Sequence, residues 1–193
     1  VGNILPSAAN RAGKIFGFDS LGNITLSDPA TATFVAGDAI QASSIASLKA
    51  VSVTALVTGQ HAVVFGFATS GDGGFGFWKY DSASVLTENL GTVVAPNAGG
   101  GRWLRVLEGD AYNVDWFGAK GDGATMDTSA INACVAAAYA DGVKKVVFNP
   151  KKTYALNQRS GQLASIELKP GVSLDGRGCK LYQRANASVI GHG

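Results

Sequence analysis

The segment Val114-Asp115-Trp116-Phe117-Gly118-Ala119-Lys120-Gly121-Asp122-Gly123, followed by Asp127-Thr128-Ser129-Ala130-Ile131, constrains this chain more than any other. An aromatic, β-like stretch runs into two closely spaced glycines around Asp122. That favours a tight turn, because glycine accepts positive φ without a Cβ penalty, and the strand is expected to stop there. Asp127, Thr128 and Ser129 then offer N-cap side chains. Ile131, Cys134, Val135 and Ala138 recur at i, i+3, i+4 and i+7, one apolar helical face, and Asp141-Gly142 closes the helix with glycine at the C′ position.

Short strands are expected to follow. Val143-Lys144-Lys145-Val146-Val147-Phe148 is β-branched and ends at the breaker pair Asn149-Pro150. Thr153 to Leu156, Ile166 to Lys169, Val172 to Leu174 and Lys180 to Gln183 are further candidates, separated by Pro170-Gly171 and by Asp175-Gly176-Arg177-Gly178. Several short strands after one helix point to a sandwich or to the coils of a β-solenoid.

The same residues carry a family resemblance. Phe117 to Gly123, Asp127 to Ile131, Val146 to Pro150, Thr153-Tyr154 and Leu168 to Gly178 together resemble the opening of the pectate-lyase-like superfamily. The resemblance implies an N-terminal capping helix and the first coils of a right-handed parallel β-helix. Trp116, Phe117, Gly118, Ala119, Lys120, Gly121, Asp122, Gly123, Asp127 and Thr128 are its structural motif residues, and Met126 stands where the family usually has the first of two adjacent acids. A solenoid end exposes its apolar interior and unpaired strand edges, so a cap with one apolar and one polar face fits there.

Upstream, Lys14 to Phe18 and Ile24 to Leu26 flank a turn at residues 19–23 and read as a small hairpin. Asn10 to Asn23 also resembles segments that close the particle-attachment region of bacteriophage tail spikes and fibres. Ser27 to Ala42 reads as a linker with at most one strand. Residues 43–110 look like a compact unit. In it Ile45 and Leu48 turn inward, Ala62 to Phe67 is a buried strand, Gly71 to Gly74 makes the turn and Phe75 to Tyr80 returns. Thr92 to Val94 and Trp103 to Leu107 add two strands. With its later Gly101-Arg102-Trp103, this order resembles the small β domain that precedes the β-helix in many tail spikes. The aromatic strand Phe75/Phe77/Trp78/Tyr80 reads as core before it reads as a sugar-stacking platform.

Composition excludes several classes. The 26 glycines, without a Gly-X-Y period, belong to turns. A net charge of +2 does not imply nucleic acid, although residues 1–140 carry 7 basic and 11 acidic side chains and residues 141–193 carry 9 and 3. No apolar run is long enough to span a membrane and no export signal is visible. Cys134 and Cys179 read as small buried hydrophobes rather than a disulfide.

Catalytic signals are thin. Gly71, Gly73 and Gly76 fit G-x-G-x-x-G, but an aromatic strand follows where a phosphate-binding helix is needed. His61 and His192 lack metal-ligand spacing, and no G-x-S-x-G elbow occurs. The carboxylates open to paired acid/base work are Asp122, Asp127, Asp141, Glu167 and Asp175, and each has a plainer role at a turn, a cap or a solvent-facing strand. No catalytic, cofactor-binding or metal residue is therefore assigned.

The expected fold is mainly β: an anchor segment and linker (1–41), a β neck domain (42–110), and a capping helix with the first, incomplete coils of a β-helix (111–193). The strand-like end at Ser188 to Gly193 suggests that the polypeptide continues or that other chains cover the last edge. The resemblances imply a structural virion component, the N-terminal attachment part of a homotrimeric phage tail spike or fibre. It would contact other phage tail or baseplate proteins through its N-terminus and host surface polysaccharide through a later part, with no cofactor, nucleic acid or membrane insertion. Its place would be the phage tail, at the host cell surface, and residues 1–193 would have no activity of their own. A secreted bacterial pectate-lyase-like lyase or hydrolase is the alternative, and a non-enzymatic fibre adapter a third.

Overall fold

The structure is a computed structural model that describes residues 39–107, 109–157 and 165–184, together with the backbone of two strands nearer the N-terminus. Those two strands, β1 (Ile15–Phe18) and β2 (Ile24–Ser27), pair antiparallel with Phe16 opposite Leu26 and Phe18 opposite Ile24, which is the expected hairpin. Residues 1–37 form one compact unit and residues 38–193 another. Most of the expected linker, the turn at 19–23, His192 and the Ser188 to Gly193 end lie outside the described residues.

The second unit opens with β3 (Ile40–Ala42) and α1 (Ile45–Lys49). Ser44 caps the helix by accepting the Ser47 amide, and Ile45 and Leu48 turn into the core as their spacing predicts. Then come β4 (His61–Val64), β5 (Gly76–Asp81), β6 (Val93–Val94) and β7 (Arg102–Arg105). The five strands make one sheet in the order β3-β4-β5-β7-β6, antiparallel except for β3 on β4. Strict alternation sends Ala62, Val64, Trp78, Tyr80 and Trp103 to one face, where they form the core with Leu48 and Ile40.

Alternation also corrects two expectations. The strand expected over residues 62–67 ends at Val64, and Phe65 is exposed, because side chains on a pleated strand cannot all face one side. The aromatic strand divides in the same way: Trp78 and Tyr80 are core, whereas Phe75 and Phe77 face solvent. The strand expected to reach Leu107 stops at Arg105, leaving Val106 and Leu107 exposed.

From residue 111 the pairing changes to parallel. β8 (Ala111–Asn113), β10 (Lys145–Val147) and β12 (Ser173–Asp175) stack in one sheet, and β9 (Asp122–Met126), β11 (Thr153–Asn157) and β13 (Lys180–Arg184) in another. Each coil gives one strand to each sheet. Tyr112, Val146 and Leu174 fall in register, as do Tyr154 and Leu181. This is the start of a parallel β-helix, and it decides between solenoid and sandwich.

Three local readings change here. Val114–Phe117 is a 3-10 turn rather than strand, because the Asn113 carboxamide caps the Asp115 amide and Gly118 ends the turn at φ 92°. The Gly121-Asp122-Gly123 turn begins strand β9 instead of ending one. Ile166 to Lys169 forms no strand, and the strand expected over residues 143–148 shrinks to Lys145–Val147.

Helix α2 (Thr128–Ala140) buries Ile131, Cys134, Val135 and Ala138 completely against Tyr112, Val114 and Phe148. Its polar residues finish the open edges. Thr128 Oγ1 accepts the Asn157 amide at 2.9 Å and donates to the Asn157 carbonyl at 3.3 Å. One turn later, Asn132 donates to the Ser165 carbonyl at 2.9 Å and accepts the Glu167 amide at 2.7 Å. The helix thus caps in two senses: it covers the apolar interior and supplies the backbone partners that a preceding coil would have given. Among the described residues no helix is long and apolar enough to cross a membrane.

Candidate functional site

The motif residues lie where the five-stranded sheet meets the first coil, and each has a structural task. Gly118 packs its bare Cα against the Phe67 ring, which would stand 2.6 Å from any Cβ placed there. Phe117 is buried, and Gly91 makes room for its ring, 2.5 Å from a Cβ at that position. Ala119 is buried and Gly123 takes a positive φ at the start of β9. Asp127 is not a side-chain cap of α2. Its carboxylate accepts the amides of Lys120 at 2.7 Å and Gly121 at 3.1 Å, fixing the loop that leads into β9. Burial raises its pKa, and those two amides oppose the rise.

Two side chains that the sequence reading did not single out clasp the junction. Asp115 is 1% exposed. Lys152 Nζ lies 2.8 Å from its Oδ2, and the Tyr154 hydroxyl donates to Oδ1 at 2.8 Å. The same ammonium donates to the Asp72 carbonyl at 2.6 Å, so Lys152 in the second coil ties both the first coil and the sheet's Gly-rich turn. That turn is rigid in its own right. The Asp72 carboxylate accepts the amides of Phe67, Ala68, Thr69 and Gly74 at 2.8 to 2.9 Å. Burial raises the Asp72 pKa, but the four amides outweigh it and the net shift is downward.

The second clasp is Arg105. Its guanidinium sits 4.6 Å from the ring centroids of both Trp78, in the sheet, and Trp116, in the coil. It donates to the carbonyls of Gly91 at 2.6 Å, Phe75 at 2.8 Å and Gly74 at 3.0 Å. Burial pushes the group down to about 9, still charged at neutral pH. Gly76 is required beneath it, since a Cβ there would collide with Nη1.

A cavity of about 390 Å³ opens beside the first clasp, lined by Thr69, Asp72, Asp115, Lys120, Asp122 and Lys152 among others. Its acids are committed. Asp122 accepts the Thr125 and Ala124 amides and the Thr125 hydroxyl, which hold its pKa down at about 2. Asp141 accepts the Tyr112 hydroxyl at 2.8 Å, and Asp175 accepts the Arg177 amide. Glu167, expected on a strand, pairs with Lys169 on an irregular segment. Each of the five candidate carboxylates is thus held by a backbone amide, a hydroxyl or a lysine. His61 opens β4 on the surface, Gly71 to Gly76 is the hairpin connection, and both cysteines are free. Among the described residues no group of three His, Cys, Asp or Glu side chains is placed to hold a metal.

These carboxylates give the fold an acid limit. Asp72, Glu88 and Asp122 have folded pKa values below their unfolded ones. Their stabilisation is present above the unfolded range near pH 4 and is lost as pH falls through the folded values. Asp127 has the opposite sign and regains stability on protonation. The expected result is a net loss of thermal stability between about pH 4 and pH 2, with the Asp122 carboxyl titrating at about 2 by NMR. An Asp122 midpoint near 4 would contradict the described turn.

Residues 41–108 match the phage tail protein small four-stranded beta-sheet domain. Strands β4 to β7 lie wholly inside the match and β3 enters it at Gln41. Among solved structures, the enzymatically active domain of tailspike protein 4 of bacteriophage CBA120 is similar over 86% of this chain and 22% of its own, with 16% identity and a TM-score of 0.58. Pantoea stewartii WceF, a glycan biofilm modifying enzyme with a tailspike-like parallel β-helix, is similar over 75% and 20%, with 18% identity and a TM-score of 0.54. Tailspike protein 2 of CBA120 shares 29% identity over 60% of this chain, with a TM-score of 0.46, and the chain spans only 15% of its length. Comparison with curated proteins finds no match. Residues 41–108 therefore belong to the phage tail protein small four-stranded beta-sheet family, and the chain as a whole shares the fold of tailspike-like parallel β-helix proteins, of whose length it spans about a fifth.

Proposed function

We propose that the chain is the attachment end of a homotrimeric tailspike. Residues 1–41 join other phage tail or baseplate proteins, residues 42–110 form the neck, and residues from 111 onward begin the shaft whose later part meets host surface polysaccharide. In this reading Trp116 to Gly123, Asp127 and Thr128 build the joint and cap between neck and shaft, and residues 1–193 carry no catalysis and need no cofactor. The observation that supports it most is the pair of clasps, Arg105 between Trp78 and Trp116 and Lys152 between Asp115 and Asp72, which lock the tail-type sheet to the first coils.

The fold shared with WceF favours a second reading, the front part of a bacterial glycan-modifying enzyme. Light scattering separates the two. A solution mass near three times 19.7 kDa, about 59 kDa, is expected for the spike, because cyclic symmetry gives each copy two neighbours. A monomer that shortens capsular or secreted glycan would favour the enzyme.

A further inference from the structure

The outermost strand of a sheet presents a row of backbone donors and acceptors to any extended segment that comes alongside. The sheet β13-β11-β9 ends at β9, and among the described residues no strand pairs with its far side. Helix α2 spends its polar side chains elsewhere, since the bonds of Thr128 and Asn132 go to Asn157, Ser165 and Glu167, at the end of β11 and beyond it. β9 is also open to solvent, with Asp122 and Ala124 exposed and Gly123, Thr125 and Met126 only partly buried.

This open strand is irregular. Asp122 lies opposite Thr153 and Met126 opposite Ala155, so five residues of β9 face three of β11 and the surplus makes a bulge. In the bulge the Ala124 and Thr125 amides both donate to Asp122 Oδ1, at 2.8 and 2.7 Å, and the Thr125 hydroxyl donates to Oδ2 at 2.8 Å. Donors that a further strand would need are thus taken by the first side chain of β9 itself. Aspartate has the length for this, because its oxygens reach amides two and three positions on. The flanking Gly121 and Gly123, at φ 60° and 72°, let the chain turn around it.

A bulge and a charged side chain on an outermost strand are two of the ways in which sheets are kept from adding strands. From their combination here we infer that Asp122 bars the open edge of the first coil: by holding the bulge and occupying the Ala124 and Thr125 amides, it prevents β9 of a second copy from adding as one more strand. The glycine-flanked acid of the family motif is then a block against edge-to-edge association, a role distinct from the joint that Asp115, Lys152 and Arg105 hold.

The test uses the full chain, with mass read by light scattering over a range of protein concentration and folding by circular dichroism. The wild-type mass, whatever number of copies it represents, is the reference. Asp122 is exposed, so Asp122→Ala is expected to keep the wild-type spectrum and to rise with concentration to about twice the wild-type mass or more, as freed edges pair. Asp122→Asn keeps an oxygen that can accept both amides and is expected to stay at the wild-type mass. Adding Thr125→Pro to Asp122→Ala removes one freed donor and is expected to restore that mass. A folded alanine variant that keeps the wild-type mass at every concentration overturns the inference, and so does association that the added proline leaves unchanged. Should the alanine variant lose its spectrum, hydrogen exchange on the wild type decides: the Ala124 and Thr125 amides are expected to be protected although the segment is exposed, and exchange at the rate of a free amide would overturn the block.

Discussion

Replacing Asp115 with alanine is expected to destabilise the fold by about 3–5 kcal/mol, the usual cost of removing one member of a buried ion pair. The carboxylate is fully enclosed and serves two partners at 2.8 Å, Lys152 Nζ and the Tyr154 hydroxyl. Its loss leaves the Tyr154 hydroxyl without its acceptor and Lys152 with the Asp72 carbonyl but no counter-charge. Tyr154 is itself 0% exposed, its hydroxyl also accepting the Asn149 amide, so a misplaced tyrosine disturbs the turn into β11 as well. Burial, and then the bond to Asp115, raise the Tyr154 pKa, so the phenol stays protonated and can donate at any ordinary pH. The control is Asp115→Asn, which keeps an acceptor for Tyr154 and loses the charge opposite Lys152. It is expected to cost about half as much, in line with the ~1 kcal/mol of a neutral bond against the larger value of a charged one. The comparison is made by urea unfolding at constant slope. A loss below about 1 kcal/mol for the alanine variant would mean that the first clasp does not hold the junction.

Arg105→Ala is the second large effect, also about 3–5 kcal/mol. It removes the cation from between two indole rings, each such contact being worth up to about 2 kcal/mol when desolvated, and it leaves the carbonyls of Gly74, Phe75 and Gly91 without their donor. Among the described residues no carboxylate lies within ion-pair distance of Arg105, so its charge is balanced by ring faces and carbonyl dipoles alone. Lysine is expected to recover less than half of the loss, because a point ammonium cannot stack flat between Trp78 and Trp116 while reaching three divergent oxygens. Methionine, which fills space without donors, separates packing from hydrogen bonding. If Arg105→Lys matched the wild type, the planar stack would carry no weight.

The parts of this fold that were legible in the sequence are those decided by near neighbours. The apolar face of α2, its glycine stop, the inward turn of Ile45 and Leu48, and the hairpin around Asp72 all follow from residues a few positions apart. Strands β10, β11, β12 and β13 were read nearly in place because apolar and β-branched runs between glycine and proline punctuation have little else to become, whereas Ile166 to Lys169 was expected as a strand and forms none. Where a distant partner decides, the reading failed. Val114 to Phe117 has the composition of a strand, and only the Asn113 cap and the left-handed Gly118 make it a 3-10 turn. Asp127 stands where an N-cap would, but its side chain answers the amides of Lys120 and Gly121 instead. Lys152 binds a carbonyl 80 positions earlier, and nothing local marks that lysine among its neighbours. Arg105 read as one more strand residue, although its place on the core face beside Trp103 held the signal: a cation at an inward position of a sheet needs a partner.

The proposed function asks the molecule for a rigid connection, since a neck that opened independently of the shaft could not carry it. The two hydrophobic cores, one under the sheet around Trp78 and Trp103 and one inside the coils around Ile131 and Val146, must therefore open together. Native-state hydrogen exchange tests this residue by residue. The slowest amides of β5 and β7 and those of β10 and β11 are expected to share one opening free energy and one denaturant dependence, the mark of a single cooperative unit. Two distinct values, with the sheet opening while the coils remain closed, would contradict the account.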